Sequence, residues 1–388
     1  MRKERVLPYG RQWIDEEDIK AVVEVLKSDF ITQGPKIREF EEKIAKFVGA
    51  KYAVVFNSGT SALHAAYFAF GLSSEDEFIT SPITFAATAN AGLYLRAKPV
   101  FCDIERDTGN VNVKLIEEKI TSHTKLIVPV HYAGHPCDME KIKEIADKYG
   151  LFVVEDACHA LGAEYKGSKI GSCKYSDATV FSFHPVKHIT TGEGGVVATN
   201  RKDIYEKLLM FRNHGITKDE KKFLNQKEGD WYYEMHFLGF NYRMTDIQAA
   251  LGISQLKKLD KFVKRRREIA RIYNKAFKDN PYFDTPVEKD YAYHSYHLYS
   301  IRLKNEYKNR KKEVFQLLRR KGIGVQVHYI PVYLHPYYQQ LGYREGECLL
   351  SEDFYRKEIS LPLYPAMTEE DVDYTIKAVF EVFEEVAK

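Results

Sequence analysis

With 388 residues, 44% of them hydrophobic, the chain has enough apolar surface for two domains with full cores and is no small stapled fold. Lys and Arg total 58 against 55 Asp and Glu, a net charge of +3, so no large positive field argues for a nucleic-acid partner. Five scattered cysteines (Cys102, Cys137, Cys158, Cys173, Cys348) without a C-x-x-C pair fit a reducing, cytoplasmic compartment, and the charged start MRKERVLPYGRQWIDEEDIK and the lack of a long apolar span lead us to expect neither a signal peptide nor a membrane partner.

From about residue 52 to residue 200 two textures alternate. The runs YAVVF, EFITS, KPVFCDI, KLIVPVH, LFVVEDA, ATVFSF and GGVVATN are strand candidates, and SALHAAYFAFG, AATANAGLYLR and MEKIKEIADKYG between them read as helices. Strands apolar on both faces belong to a mostly parallel sheet covered by helices, and such sheets gather ligands at the carboxyl ends of their strands. The expected class is α/β. Past residue 250 come the charged helices ISQLKKLDKFVKRRREIARIYNKAF and NRKKEVFQLLRRKG, the strand-like YHLYSIRL and a closing helix TEEDVDYTIKAVFEVFEEVAK. This pattern predicts a large domain over residues 1–250, whose N-terminal segment packs on the small domain, and a smaller α/β domain over residues 251–388. The run KKLDKFVKRRRE keeps Leu256, Leu259, Phe262 and Val263 on one face, which reads as a solvated amphipathic helix.

Several residues at these strand ends carry chemistry. In AVVFNSGTSALHAA, a strand, a small polar turn and a helix follow one another, so Gly59, Thr60 and Ser61 lie where unpaired N–H groups and the positive helix end favour a phosphate; the same residues are also ordinary caps. His131, His135, Cys137 and Asp138 in PVHYAGHPCDM have the spacing of half a zinc site with no second half, and are read as loop residues. Asp156 closes the strand of VVEDACHALG. Glu155 beside it faces the opposite side, which argues against a shared divalent-ion site. Ser182 would add a hydroxyl to the phosphate site if its strand end meets that of YAVVF. Lys187 follows the aromatic-rich FSFHPV and precedes ITTGEGG, where Gly192, Gly194 and Gly195 permit tight turns or close approach to a ligand.

Lys187 and Asp156 together are the minimum machinery for pyridoxal phosphate. The lysine holds the cofactor's aldehyde as an imine, and the aspartate keeps the ring nitrogen protonated so that the ring accepts electrons. A carboxylate about 4 Å from that nitrogen, at an effective dielectric near 20, contributes about 4 kcal/mol, or roughly three pK units, enough to hold the ring cationic at neutral pH. The chain has no G-x-x-x-x-G-K-[ST], G-x-G-x-x-G or H-E-x-x-H, so kinase, dinucleotide-dehydrogenase and zinc-protease readings lack their minimum signals.

Taken in order, PYGRQWIDEEDI, ITQGPKIREFE, FNSGTSALHAA, SPITFAATANAG, VPVHYAG, VVEDACHALGAEYKG, FSFHPVKHITTGEGG and GFNYRMTDIQAALG resemble the fold type I sugar-nucleotide aminotransferases of the DegT/DnrJ family. The resemblance covers essentially the whole chain. It implies Lys187 as the Schiff-base lysine, Asp156 as partner of the pyridine nitrogen, Phe85 of PITFAAT as the aromatic on the cofactor ring and His159 close to the ring hydroxyl. Phosphate contacts come from Gly59, Thr60 and Ser182, with Asn241 of GFNYRMTD arriving from the other subunit of a homodimer. FSFHPVK with ITTGEGG, together with PYGRQ, VPVHYAGHPCDM and LPLYP, is most similar to the branch making pseudaminic-acid precursors, which implies L-glutamate and a UDP-linked 4-keto-6-deoxy N-acetylated sugar as substrates. His188 stands where that branch has proline. Sugar dehydratases of the same family carry histidine in place of the lysine, so Lys187 argues against that activity, and intact Lys187 and Asp156 disfavour a silent regulator. His328, Tyr329 and Arg212 are expected around the diphosphate.

Overall fold

The computed structural model describes residues 6–388. Its centre is a seven-stranded sheet built from β1 (Tyr52–Phe56), β2 (Glu77–Thr80), β3 (Lys98–Phe101), β4 (Thr124–Val128), β5 (Phe152–Asp156), β8 (Ala178–Ser182) and β9 (Gly195–Thr199), in the order β1-β9-β8-β5-β4-β2-β3. Between β5 and β8 the chain makes the short strands β6 (Glu164–Tyr165) and β7 (Ser168–Lys169). Only β9 runs against its neighbours; the pairs β5–β8, β4–β5, β2–β4 and β2–β3 are parallel. Each strand expected between residues 52 and 200 is present.

Helices cover both faces because the strands are apolar on both. Ala53 and Val55 of β1 join a core with α2 (Pro35–Val48), α5 (Met139–Tyr149) and α7 (Asp246–Leu256), whereas Val54 and Phe56 point to the opposite core with α3 (Gly59–Ala69), α4 (Ala87–Leu93) and α6 (Lys202–Phe211). Local chemistry fixes the helix starts. Asp15 closes a capping box with Asp18 at the start of α1 (Glu16–Leu26), Pro35 opens α2, and Thr245 with Gln248 caps α7.

A third core, formed largely by the later part of the chain, surrounds a small antiparallel sheet of β12 (Phe283–Asp284), β14 (Tyr299–Leu303) and β15 (Glu358–Leu361). The ribbons β10 (Ile216–Thr217) with β11 (Glu234–Met235), and β13 (Ala292–Tyr293) with β6 and β7, are peripheral. Helix α8 (Leu259–Ala276) serves two cores: Leu259, Phe262 and Val263 join the one with α2, and Ile269, Ala270 and Tyr273 join the third. Leu7 also belongs to the third core and pairs its backbone with Gly322 and Gly324. The sequence ISQLKKLDKFVKRRREIARIYNKAF reads as one helix, but the chain breaks it at Lys257–Lys258. The break lets Lys258 reach Asp15 at 2.7 Å and the buried Asp18 at 2.6 Å, tying α1 to the junction of α7 and α8. Among the described residues no helix is long and apolar enough to cross a membrane.

Candidate active site

Strand register brings the first part of the site together. Gly195 of β9 pairs with Phe56 of β1 on one side and Ser182 of β8 on the other, so the three ends lie level. A Cβ on Gly59 would fall 3.0 Å from the Ser182 Cβ and 3.1 Å from its Oγ, so only a glycine lets the α3 start approach β8 this closely. Gly59 and Thr60, in the first turn of α3, have no carbonyl within the helix to bond, and they face the same cavity as Ser182. Ser61 departs from the expectation. It is buried, its N–H bonds the Ser58 hydroxyl at 3.1 Å, and its own hydroxyl bonds Asn57 Oδ1 at 2.7 Å, so its polar atoms cap the helix instead of facing the cavity.

Asp156 ends β5 and lines this cavity of about 620 Å³. Its carboxylate accepts from the Thr88 hydroxyl at 2.6 Å and the Cys158 N–H at 3.1 Å. Glu155, one residue earlier, faces the other side of the sheet and accepts from Ser176 at 2.5 Å and Thr179 at 2.7 Å, with His131 Nε2 at 2.6 Å. His131 in turn accepts from the Cys137 N–H, His135 contacts the Pro136 carbonyl, and Asp138 accepts from Tyr165, so the PVHYAGHPCDM side chains are engaged separately.

Lys187 sits in the loop between β8 and β9. That loop is closed on itself: Thr190 and Thr191 bond the Phe183 carbonyl, and Phe183 N–H bonds the Gly194 carbonyl at 2.9 Å. The half-buried lysine lines the cavity that Asp156, Ser182, Gly59 and Phe85 line. Desolvation pulls its amine below the ordinary 10.5, partly opposed by Cys158 and Asp156. His188 next to it is buried and turned away, with Nε2 3.1 Å from the Ser295 carbonyl, and is not among the residues lining this cavity.

The far wall is aromatic. Phe85 is 62% exposed, its ring 6.3 Å from that of Tyr329. The Tyr329 hydroxyl lies 3.0 Å from His159 Nε2, while His159 Nδ1 is buried and has no hydrogen-bond partner among the described residues. Burial, helped by the nearby Lys187 and His328, holds His159 well below the ordinary histidine value, so it is a neutral ring at physiological pH. Of the three residues expected around the diphosphate, His328 and Tyr329 line this cavity and Arg212 does not. Arg212 lies in a separate cavity, bonded to Glu41 at 2.5 Å and to the Val55 carbonyl at 2.8 Å, so its charge is already satisfied. Asn241 is exposed beside Asn57 and Asn213 and does not line the Lys187 cavity of its own chain.

Sequence reasoning missed Thr88, Tyr9 and His297, all of which border the cavity. Thr88 had a signal: three residues after Phe85 at a helix start, it shares that residue's face. Tyr9 and His297 come from segments distant in sequence and carry no local signal.

Residues 12–380 match the DegT/DnrJ/EryC1/StrS aminotransferase family. The chain belongs to that family. It is 42% identical over 388 residues to the UDP-4-amino-4,6-dideoxy-N-acetyl-beta-L-altrosamine transaminase of Campylobacter jejuni, covering 99% of each chain. Helicobacter pylori PseC, an aminotransferase of pseudaminic acid biosynthesis, superposes with a TM-score of 0.92 at 41% identity over 98% of this chain and 100% of that one. Spr1654 of Streptococcus pneumoniae, solved in a PLP form, gives a TM-score of 0.91 at 30% identity, over 98% and 99% of the two chains. The fold is that of the fold type I aminotransferases, and the cofactor of the family member described here is pyridoxal phosphate. The residues present fit that group: a helix start for the phosphate, a buried carboxylate, a desolvated lysine and an unpartnered imidazole nitrogen face one cavity.

Proposed function

We propose that this aminotransferase moves an amino group from L-glutamate to the C4 keto group of a UDP-linked 4-keto-6-deoxy-N-acetylhexosamine, giving a 4-amino-4,6-dideoxy sugar nucleotide of the pseudaminic acid type. Full-length likeness to the Campylobacter and Helicobacter enzymes supports the substrate class. The observation that carries the chemistry is that Lys187 and Asp156 line one cavity with the phosphate-favouring start of α3.

Bound there, the cofactor supplies an aldehyde for exchange between amines and a ring that accepts electrons. In this reading Lys187 holds the aldehyde and, once freed, carries a proton between carbon atoms; its lowered pKa keeps a larger share of it neutral and able to accept that proton. Asp156, oriented by Thr88 and the Cys158 N–H, holds the proton on the ring nitrogen. Phe85 covers the ring face, His159 with Tyr329 binds at the ring hydroxyl, and Gly59, Thr60 and Ser182 hold the phosphate. Asn241 completes the phosphate site of the other subunit in a homodimer; its exposure, and that of Leu224, Trp231 and Leu238 nearby in sequence, supports this. We divide the chain into domains 1–250 and 251–388, with the N-terminal segment on the small one, and the five free cysteines support a cytoplasmic site.

Purified protein mixed with the keto sugar nucleotide and glutamate is expected to release 2-oxoglutarate and a product of amino-sugar mass. Release of a dehydrated sugar without 2-oxoglutarate would overturn the reading.

A further inference from the structure

Behind the Lys187 cavity lies a buried carboxylate that the proposed chemistry leaves unused. Glu358 and Ser360 are alternate residues of β15 and so share a face, and Ser300 of β14 stands opposite Ser360 in register. Glu358 is fully buried, and its carboxylate accepts from three donors: the His328 N–H at 2.7 Å, the Ser360 hydroxyl at 2.5 Å and the Ser300 hydroxyl at 3.1 Å. The Ser360 oxygen also lies 2.9 Å from His328 Nδ1, and the Tyr132 hydroxyl donates to the His328 carbonyl at 2.7 Å. Every polar atom of His328 but one is thus engaged on the protein side. The remaining atom, Nε2, makes no hydrogen bond among the described residues, and His328 lines the Lys187 cavity.

This chain of bonds fixes the proton on the ring. Ser360 has one proton and gives it to the carboxylate, so toward His328 its oxygen only accepts, and Nδ1 is the protonated nitrogen. Burial, helped by Lys187, pulls the His328 ring down to about 3, so no second proton sits on Nε2. His328 therefore shows the cavity a lone pair. From this we infer that Glu358 is a positioning residue: acting through Ser360, it holds His328 in the tautomer whose Nε2 accepts a hydrogen bond from the acetamido N–H of the amino acceptor. The inference rests on the nucleotide-sugar reading above. Around its reacting C4 that substrate carries a methyl group, a hydroxyl and the acetamido group. A hydroxyl turns to suit either tautomer and a methyl suits neither; the amide N–H, which donates and never accepts, is the group served by fixing the ring.

Glu358→Gln reverses the chain. Its carbonyl keeps the His328 N–H, its amide donates to Ser360, Ser360 donates to Nδ1, and the ring proton moves to Nε2. In nitrogen NMR spectra of histidine-labelled holoenzyme, with the His328 signals identified by their loss in His328→Gln, wild type should show Nδ1 protonated and Glu358→Gln should show Nε2 protonated. Kinetics are measured at about pH 8.5, above the value to which burial raises the Glu358 carboxyl against the Ser360 hydroxyl and Lys311. There Glu358→Gln should raise KM for the N-acetylated keto sugar nucleotide about tenfold, leave the reaction of holoenzyme with glutamate near wild type, and show no such penalty on the same sugar nucleotide bearing a hydroxyl at C2. Ser300→Ala, which removes a donor from the same carboxylate without touching the His328 ring, should keep the wild-type tautomer and KM. If Glu358→Gln fails to fold, Ser360→Ala carries the test, with both tautomers populated and a smaller rise in KM. A wild-type ring protonated on Nε2, or a penalty that the C2-hydroxyl sugar shares, would overturn the proposal, and so would an equal rise in Ser300→Ala, which would trace the effect to packing. A wild type that reacts with glutamate yet aminates neither sugar would overturn the nucleotide-sugar reading instead, and the nitrogen spectra would still decide the tautomer.

Discussion

Glu155 and Asp156 are neighbours on β5, yet they stand in opposite circumstances. Glu155 is enclosed by His131, Ser176 and Thr179, and that cluster is complete within the protein. Asp156 has Thr88 and one N–H on its protein side and open cavity on the other, among groups whose bonding is unfinished, including His159 Nδ1 and the first-turn N–H groups of α3. The same contrast separates the Lys187 cavity from the one at Arg212, where Glu41 answers the guanidinium. A buried polar group answered by protein holds the fold; one left unanswered beside a cavity awaits a ligand, because leaving it so costs stability that only binding restores.

The comparison is broken most severely at Lys187. Lys187→Ala should lower kcat by more than about 10⁴-fold and abolish the imine absorbance of the cofactor, with little change in thermal stability, since its amine makes no hydrogen bond among the described residues. Retained turnover would put the reacting amine elsewhere. Asp156→Asn keeps the shape and removes the charge. If the carboxylate contributes the roughly 4 kcal/mol of a close ion pair, kcat should fall by about 10³-fold, and the cofactor spectrum should lose the signature of the protonated ring.

That these two positions meet at one cavity was legible in the sequence because strand ends in parallel sheets gather ligands, and both residues lie just at or after such an end. The seven strands were legible for a related reason: burial on both faces leaves continuous apolar runs. What the sequence left hidden was pairing at long range. Arg212 was expected around the diphosphate, but Glu41, 171 residues away, claims it. The division of α7 from α8 places Lys258 against Asp15 and Asp18, which are still more remote in sequence. Tyr9 and His297 reach the cavity only through the packing of the later core on the sheet, which no periodicity encodes. Ser61 was open between two readings, a phosphate contact and an ordinary cap, and the capping box it closes with Ser58 gives it the second.

Glu155 sharpens the comparison from the closed side. Glu155→Gln should leave the cofactor spectrum intact and cost about 1–3 kcal/mol of stability, measured by denaturant unfolding, because it weakens bonds from three buried donors. Its pH dependence has a definite sign. Burial alone would raise the Glu155 carboxyl, but His131 and then the two hydroxyls outweigh it and hold the folded value below the ordinary 4.5. A group depressed in the folded state stabilises above its unfolded pKa and loses that contribution as pH falls through the folded one. Wild type should therefore lose stability below about pH 4.5 more steeply than Glu155→Gln, and parallel acid limbs would mean the cluster carries no such charge.

The smallest effect concerns two serines at one end of the sheet. Ser61→Ala removes the hydroxyl that receives the Ser58 N–H and donates to Asn57, so it should cost about 1 kcal/mol of stability, as for other helix caps, while cofactor affinity stays near that of wild type. Ser182→Ala removes a hydroxyl that, among the described residues, accepts a long 3.4 Å bond from the His184 N–H and lines the cavity, so stability should hold while the cofactor dissociates a few-fold more readily. Spectral titration of pyridoxal phosphate into the two apo-proteins, alongside thermal melts, separates the outcomes. If Ser61→Ala were the one to weaken cofactor binding, the helix start would be acting through its geometry and not through its free N–H groups, and the distinction between answered and unanswered polar groups would fail at the very point where the phosphate is held.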